Sequence, residues 1–374
     1  MHKVKPNPPQ VYLRSFMRLI SIGGGEPEYD TPSNIIDAMK QAMDDGYTHY
    51  GDFRHIPALR EAVAAKYRGY GVEVDPEQVI ITPGSTMGIY MAYKALLKPG
   101  EELIVMDPCF FGYFMAVKEQ GFKTVPVKRS KEDWSFNIED IYAATTDKTR
   151  AVLMCSPDNP TGAVLSDREL KELAEYSAEK DVKIISDDIY DEITYDGAKF
   201  KSIASLPGMS ERTLILNGLS KTYAMTGWRV GYIIPPDKET YDRLFSLQMS
   251  TYLVLNQALQ YASLEALTGP QDSVAEMVKG YREKREYVVD AWSDIPKVSV
   301  TKPKGAFYAF PDLSAYGKTS AEMAQYIRDE AKVAITPGHL FGEQGEGHIR
   351  NSFAQSMDDL SEGLDRIKNA LAKL

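Results

Sequence analysis

Between Val79 and Pro236 the chain alternates short β-rich runs with amphipathic stretches of helical period. The runs are VIIT (79–82), ELIVMDP (102–108), KTVPVK (123–128), AVLMCS (151–156), VKIISDD (182–188), TLILNGLSK (213–221) and VGYIIPP (230–236). Such alternation predicts an α/β fold on a mostly parallel, seven-stranded sheet. Between two of the runs, SDRELKELAEYSAEK sets Ser166 and Glu169 in capping-box spacing and repeats its apolar residues at helical intervals.

Near residue 270 the rhythm changes. SVAEMVKGYREKREYVVDAW places Val274, Met277, Val278, Tyr281, Val288 and Trp292 on one helical face. After it come shorter strand candidates, VSVT, AFYAF, VAIT and HIRNSFA, and two further amphipathic helices, the pattern of a smaller α+β unit. With 374 residues the chain exceeds what one core usually serves. The expected division is a large domain over 36–272, a small C-terminal domain over 273–374, and a Pro- and Gly-rich arm over 1–35 packing on the small one.

A net charge of −10 argues against nucleic acid or an anionic membrane as the main partner. Cys109 and Cys155 are too few for a disulfide framework and suit a reducing compartment. The first residues lack the apolar core of a signal peptide, and no apolar run reaches bilayer length. The expectation is a cytoplasmic, soluble protein. Five histidines, His2, His49, His55, His339 and His348, show no metal-ligand spacing, so no metal site is expected. Gly23-Gly24-Gly25 runs into EPEYDTP rather than a helix, so it is not a dinucleotide loop.

Against that acidic background LNGLSKTYAMTGWRVGY (216–232) sets Lys221 and Arg229 close together, and two buried cations call for an anion. Gly84-Ser85-Thr86, Phe110, Asn159, Asp187 and Lys221 each lie at or just past the carboxyl end of an expected strand, where open α/β sheets place ligands. Gly84 permits a tight turn, and Ser85 and Thr86 begin a helix whose free N–H groups attract phosphate; the same glycine is also compatible with a plain turn. Arg229 suits phosphate oxygens, or equally a protein carboxylate. Lys221, desolvated beside another cation, would have a lowered pKa and could form an imine with an aldehyde. If that aldehyde sits on a pyridine ring, Asp187 would keep the ring nitrogen protonated and Tyr190 would stand near the ring oxygen.

SKTYAMTGWRVGY, SPDNPTG, SDDIY, PGST, GGGEPEYDTP and HIRNSFA, in this order and spacing, resemble the class I/II aminotransferases of the fold type I pyridoxal phosphate enzymes, from about Ile20 to the end. The resemblance implies that Lys221 holds pyridoxal phosphate covalently and then carries the substrate α-proton. It implies that Asp187 pairs with the pyridinium nitrogen, that Tyr190 and Asn159 bond the ring oxygen, and that Phe110 stacks on the ring. Ser85, Thr86, Ser220 and Arg229 would surround the phosphate. Tyr50 matches a tyrosine that reaches the phosphate from the neighbouring subunit, which implies a homodimer. Arg350 would clamp the substrate α-carboxylate, with Gly25 approaching the same group and Asn159 beside it. The implied substrates are an amino acid of aspartate, aromatic or alanine type and a 2-oxo acid.

Three positions depart from the pattern. Gly218 stands where relatives write the first serine of Ser-x-Ser-Lys, Thr86 where aspartate-preferring relatives carry a lysine, and His55 where a glycine is common. A pyridoxal phosphate C–S β-lyase acting on a sulfur amino acid shares these motifs and is the alternative reading. A non-catalytic sensor would not require a positioned imine-forming amine.

Overall fold

The computed structural model describes residues 18–118 and 120–374. The chain opens with a two-residue strand, β1 (Ile20–Ser21), and then builds β2 (Ile80–Thr82), β3 (Glu102–Asp107), β4 (Lys123–Lys128), β5 (Thr149–Cys155), β6 (Lys183–Asp187), β7 (Thr213–Gly218) and β8 (Gly231–Ile234). Strands β2 to β8 form one seven-stranded sheet in the order β2-β8-β7-β6-β5-β3-β4. All neighbours pair in parallel except β8, which runs antiparallel to both β2 and β7. The expected mostly parallel seven-stranded sheet is therefore present.

Helices cover both faces of this sheet, which is why its strands read as apolar runs without alternation. Leu103, Val105, Leu153 and Ile185 face one way and pack in the main core with Ile89, Met91 and Tyr93 of the helix Ser85–Leu96. Ile104, Met106, Val152, Met154 and Ile184 face the other way, against Leu170, Leu173 and Tyr176 of the helix Asp167–Lys180. That second helix starts at the capping box anticipated from Ser166 and Glu169, which satisfies two orphan donors at once.

The later strands are short. β9 (Tyr308–Ala309), β10 (Val333–Ala334), β11 (Thr336–Pro337) and β12 (Ile349–Ser352) divide between a β11-β12-β9 sheet and a parallel β1-β10 pair. VAIT thus splits between two sheets. VSVT is not a strand: Ser299 makes one isolated bridge to Asp312, and no partner edge extends it. Of the arm expected over 1–35, residues 1–17 lie outside the described residues. Its visible part is tied to the C-terminal region, since Ile20 pairs with Val333 and Ser352 N–H donates to Ile22 O at 2.7 Å. The 22-residue helix Asp272–Ser293 buries Val274, Met277, Tyr281, Val288 and Trp292 as the apolar spacing requires, while Val278 is only half-buried. Lys284 and Arg285 are buried on it as well, and Arg285 is held by Pro303 O and Asp196.

His55 acquires a structural account. Its φ is +69°, a left-handed backbone that explains why glycine suits the position. The imidazole is 1% exposed and its Nε2 accepts from Leu255 N–H at 3.1 Å, so the ring is neutral. Burial, reinforced by the Arg60 charge, pushes its pKa down to about 4. An unfolded histidine titrates near ~6.5, so the unfolded chain binds the extra proton first and stability falls as pH drops from there toward the folded value. His55→Asn keeps a residue tolerant of this backbone and removes the titration. Between pH 7 and pH ~4.5 the parent should lose about 2.5 kcal/mol more than the variant in chemical denaturation; equal losses would contradict this assignment.

Candidate active site

Five loops leave the sheet at the carboxyl ends of their strands and meet over one crevice. Gly84, at φ +80°, turns β2 into the helix Ser85–Leu96, whose N-terminus carries no side-chain cap. Its first N–H groups are therefore free for an external acceptor. The backbone angle favours glycine there, and a Cβ would push the Arg229 guanidinium from its place over the turn. Gly218 is explained similarly. It faces Gly231 in the β7–β8 pair, and a Cβ on it would meet Val230 O at 2.8 Å. A serine has no room at this position, so the absent hydroxyl follows from tight backbone packing.

Arg229 differs from expectation: it is exposed, not buried. Left-handed backbone at Ala224 (φ +50°) and Arg229 (φ +58°) folds the loop back so that the guanidinium lies over Gly84, with Nη1 donating to Thr226 O at 2.8 Å. A guanidinium with no protein carboxylate keeps access to water because full burial would leave its charge uncompensated.

The crevice is lined by Gly25, Ser85, Thr86, Phe110, Asn159, Asp187, Tyr190, Ser220, Lys221, Arg229 and Arg350. Every candidate from the sequence is thereby gathered in one place except Tyr50. That ring is 75% exposed and contributes nothing to the crevice of its own chain. Its ring centroid lies 6.2 Å from that of Phe53, which is also exposed.

Asp187 ends β6 and is fully enclosed. Tyr113 OH donates to its Oδ2 at 2.8 Å and Ile189 N–H to its Oδ1 at 3.3 Å. Burial pushes its pKa up to about 6, with these donors and the Lys221 charge restraining the rise. The carboxylate is thus still ionised at neutral pH and strongly disposed toward a cationic partner. Lys221 Nζ donates to Gly25 O. Burial, then the charges of Arg350 and Arg229, bring its pKa down to about 8.

Arg350 reaches the crevice from β12. Its guanidinium lies 4.5 Å from the centroid of the Tyr308 ring and 4.9 Å from that of Phe341, two cation–π contacts that restrain it. Nη1 donates to Asn159 Oδ1 at 2.9 Å and Nη2 to Gly23 O at 2.7 Å, while buried Nε has no partner. A Cβ at Gly25 would lie 2.6 Å from Tyr308 OH and 3.8 Å from Arg350 Nη2, so this glycine keeps the wall beside the arginine open.

Among the described residues, neither Lys221, Arg229 nor Arg350 is ion-paired with a carboxylate, and Asp187 is the one acidic residue lining the crevice. Three cations around one carboxylate leave an excess of positive charge that two anionic groups would offset, one at the helix N-terminus and one at Arg350. Tyr113, Tyr308, Phe111 and Thr226 also line the crevice and were not anticipated. In the sequence, Tyr113 and Tyr308 sit in aromatic runs, FFGYF and AFYAF, that read equally well as core.

The pattern of the family described as aminotransferase class I and II matches residues 18–367. The chain is 39% identical to aromatic-amino-acid aminotransferase 2 of Thermococcus litoralis over 360 residues, 94% of this chain and 92% of the relative. It is equally similar, 39% over 360 residues with the same coverage, to the aspartate aminotransferase of Pyrococcus abyssi. The solved structure of the alanine aminotransferase from Pyrococcus furiosus superposes with a TM-score of 0.91 at 34% identity, covering 96% of this chain and 93% of that one.

The lowered pKa of Lys221 has a direct readout. Below about 8 its amine is protonated and unreactive; above it the neutral nucleophile dominates. In cofactor-free protein, modification of Lys221 by trinitrobenzenesulfonate, followed by peptide mapping, should accelerate up to about pH 8 and then level off. Acceleration continuing toward ~10.4, as for an ordinary lysine, would contradict the site electrostatics.

Proposed function

The chain belongs to the class I and II aminotransferases, fold type I pyridoxal phosphate enzymes that move an amino group from an amino acid to a 2-oxo acid, and from that premise we propose how its own residues share the work. Lys221 is the cofactor-holding amine and the base that takes the substrate α-proton on Nζ and returns it. The convergence of a depressed-pKa lysine, an enclosed carboxylate and two unpaired arginines in one crevice is the observation that carries this reading.

The donor set suits the cofactor's chemistry. Pyridoxal phosphate, when bound, delocalises the electron pair left by loss of the α-proton. The free N–H groups after Gly84, the hydroxyls of Ser85, Thr86 and Ser220, and Arg229 form a cradle for a phosphate. Asp187, oriented by Tyr113, supplies the negative charge a protonated pyridine nitrogen needs. Phe110 offers a flat apolar face, and Tyr190 and Asn159 direct polar groups to the ring oxygen. Arg350, with Asn159 at its edge and Gly25 opposite, orients the α-carboxylate so that the α-hydrogen is presented to Lys221. Each charge-assisted hydrogen bond in this set is worth about 1.5–3 kcal/mol, and the positioned base about 10²- to 10⁴-fold in rate.

The donors assigned are of aspartate, aromatic or alanine type. Once Lys221, Arg229 and Arg350 are allotted, no further lysine or arginine among the described residues lines the crevice for a distal carboxylate. The large domain is assigned to 36–272, the small one to 273–374, and the arm to 1–35; the β1–β10 pair supports the placing of the arm. The working unit is assigned as a homodimer in which Tyr50 enters the partner's phosphate cradle, a role in keeping with its exposure and with its not lining the crevice of its own chain. No helix among the described residues is long and apolar enough to cross a membrane; a cytoplasmic place in amino acid biosynthesis accords with the reduced cysteines.

Mixed dimers test the shared site. Lys221→Ala should lower amino transfer from aspartate, phenylalanine or alanine to 2-oxoglutarate by at least ~10²-fold, and Tyr50→Ala should weaken cofactor affinity roughly 10- to 100-fold. A hybrid of the two subunits contains one intact site and should regain activity at limiting cofactor. Hybrids no more active than the parent variants would contradict the sharing of Tyr50.

A further inference from the structure

Tyr190 and Tyr308 are both buried, at 2% and 1% exposure, and their hydroxyls meet at 2.8 Å inside the crevice. Tyr190 follows β6 by a short turn, whereas Tyr308 begins β9, so the pair joins the central sheet to the small C-terminal sheet. The Tyr308 ring supports the Arg350 guanidinium at 4.5 Å, and its hydroxyl lies against the Gly25 backbone. One side chain therefore touches the arginine, the glycine wall beside it, and the phenol assigned to the cofactor oxygen.

Resting on the functional reading above, we propose that Tyr308 is a positioning residue with two separable parts: its hydroxyl polarises Tyr190, and its ring fixes the plane of Arg350.

The two parts follow from hydrogen-bond capacity. Each phenol has one proton to donate. If Tyr190 directs its proton at the cofactor oxygen, the 2.8 Å contact must be Tyr308 donating to Tyr190. A hydroxyl that accepts a hydrogen bond is a stronger donor through its own proton, and the effect is larger in a dry site. Both phenols stay protonated at neutral pH, since burial raises the pKa of each. The ring has a different task. Arg350 makes two cation–π contacts, with Tyr308 and with Phe341, so loss of the Tyr308 ring leaves the guanidinium with one of the two.

Two substitutions separate the roles. Tyr308→Phe removes the hydroxyl and keeps the ring; Tyr308→Leu removes both. Each is purified with pyridoxal phosphate bound and titrated by the absorbance of its chromophore. The midpoint should rise by roughly 0.5–1 pH unit in both variants, the size expected for one ordinary hydrogen bond, because negative charge on the cofactor oxygen is less well compensated. Binding of two unreactive carboxylates, maleate and 3-phenylpropionate, is then followed by the same absorbance. Affinity should fall less than ~2-fold in Tyr308→Phe and more than ~5-fold in Tyr308→Leu, given the usual strength of a cation–π contact.

A Tyr308→Phe protein with a parental midpoint overturns the hydroxyl role. Equal carboxylate affinity in Tyr308→Leu overturns the ring role. A folded Tyr308→Phe protein, judged by parental thermal unfolding, that takes up no cofactor overturns the proposal in favour of a purely structural residue. Absence of a bound chromophore in the parent would instead defeat the functional reading itself.

Discussion

Uncompensated positive charge in an acidic protein is the constraint on which this structure turns. Lys221, Arg229 and Arg350 border one crevice and find no carboxylate partner among the described residues, while Asp187 is enclosed there beside Tyr113. Such an arrangement is unfavourable in isolation. Each cation is handled differently: Lys221 lowers its pKa, Arg229 stays in contact with solvent, and Arg350 packs on two aromatic rings and bonds to neutral oxygens. All three are thereby held ready for anions that arrive with a ligand.

The fold makes the gathering possible. Parallel strands deliver their carboxyl ends to one edge of the sheet, so loops distant in sequence meet there without special design. The helix N-terminus after β2 adds unpaired N–H groups, and the backbone runs so close here that a Cβ on Gly218 or on Gly231 would meet main-chain atoms. Arg350 comes from outside that sheet, on β12, and its neighbours Gly23 and Gly25 come from the segment after β1. The Arg350 side of the crevice is therefore carried by parts of the chain that are held together by the β1–β10 pairing and the core around Ile20, Ile22 and Leu364.

Much of this was legible in the residues. Short β-rich runs alternating with helical stretches announced a mostly parallel sheet, and the residues past the ends of those runs marked the crevice. The ordered motifs pointed to eleven residues that the fold does bring together. Side-chain environment was less legible. Arg229 lies between Trp228 and Val230, which reads as buried, yet left-handed backbone turns it outward. Tyr113 and Tyr308 are embedded in aromatic runs whose period matches ordinary core, so nothing local distinguished a crevice hydroxyl from a packed ring. Tyr50 cannot be placed from one chain, because its exposure acquires meaning only when a second subunit is considered. His55 was visible as a departure, but its buried, neutral ring is set by Leu255, distant in sequence.

The covalent attachment of the cofactor to one amine is the centre of the account. Borohydride reduction of protein saturated with pyridoxal phosphate, followed by peptide mapping, addresses it directly. The account predicts a stable pyridoxyl group on Lys221 at close to one per chain. Full saturation with Lys221 unmodified, or with the label spread over surface lysines, would contradict it.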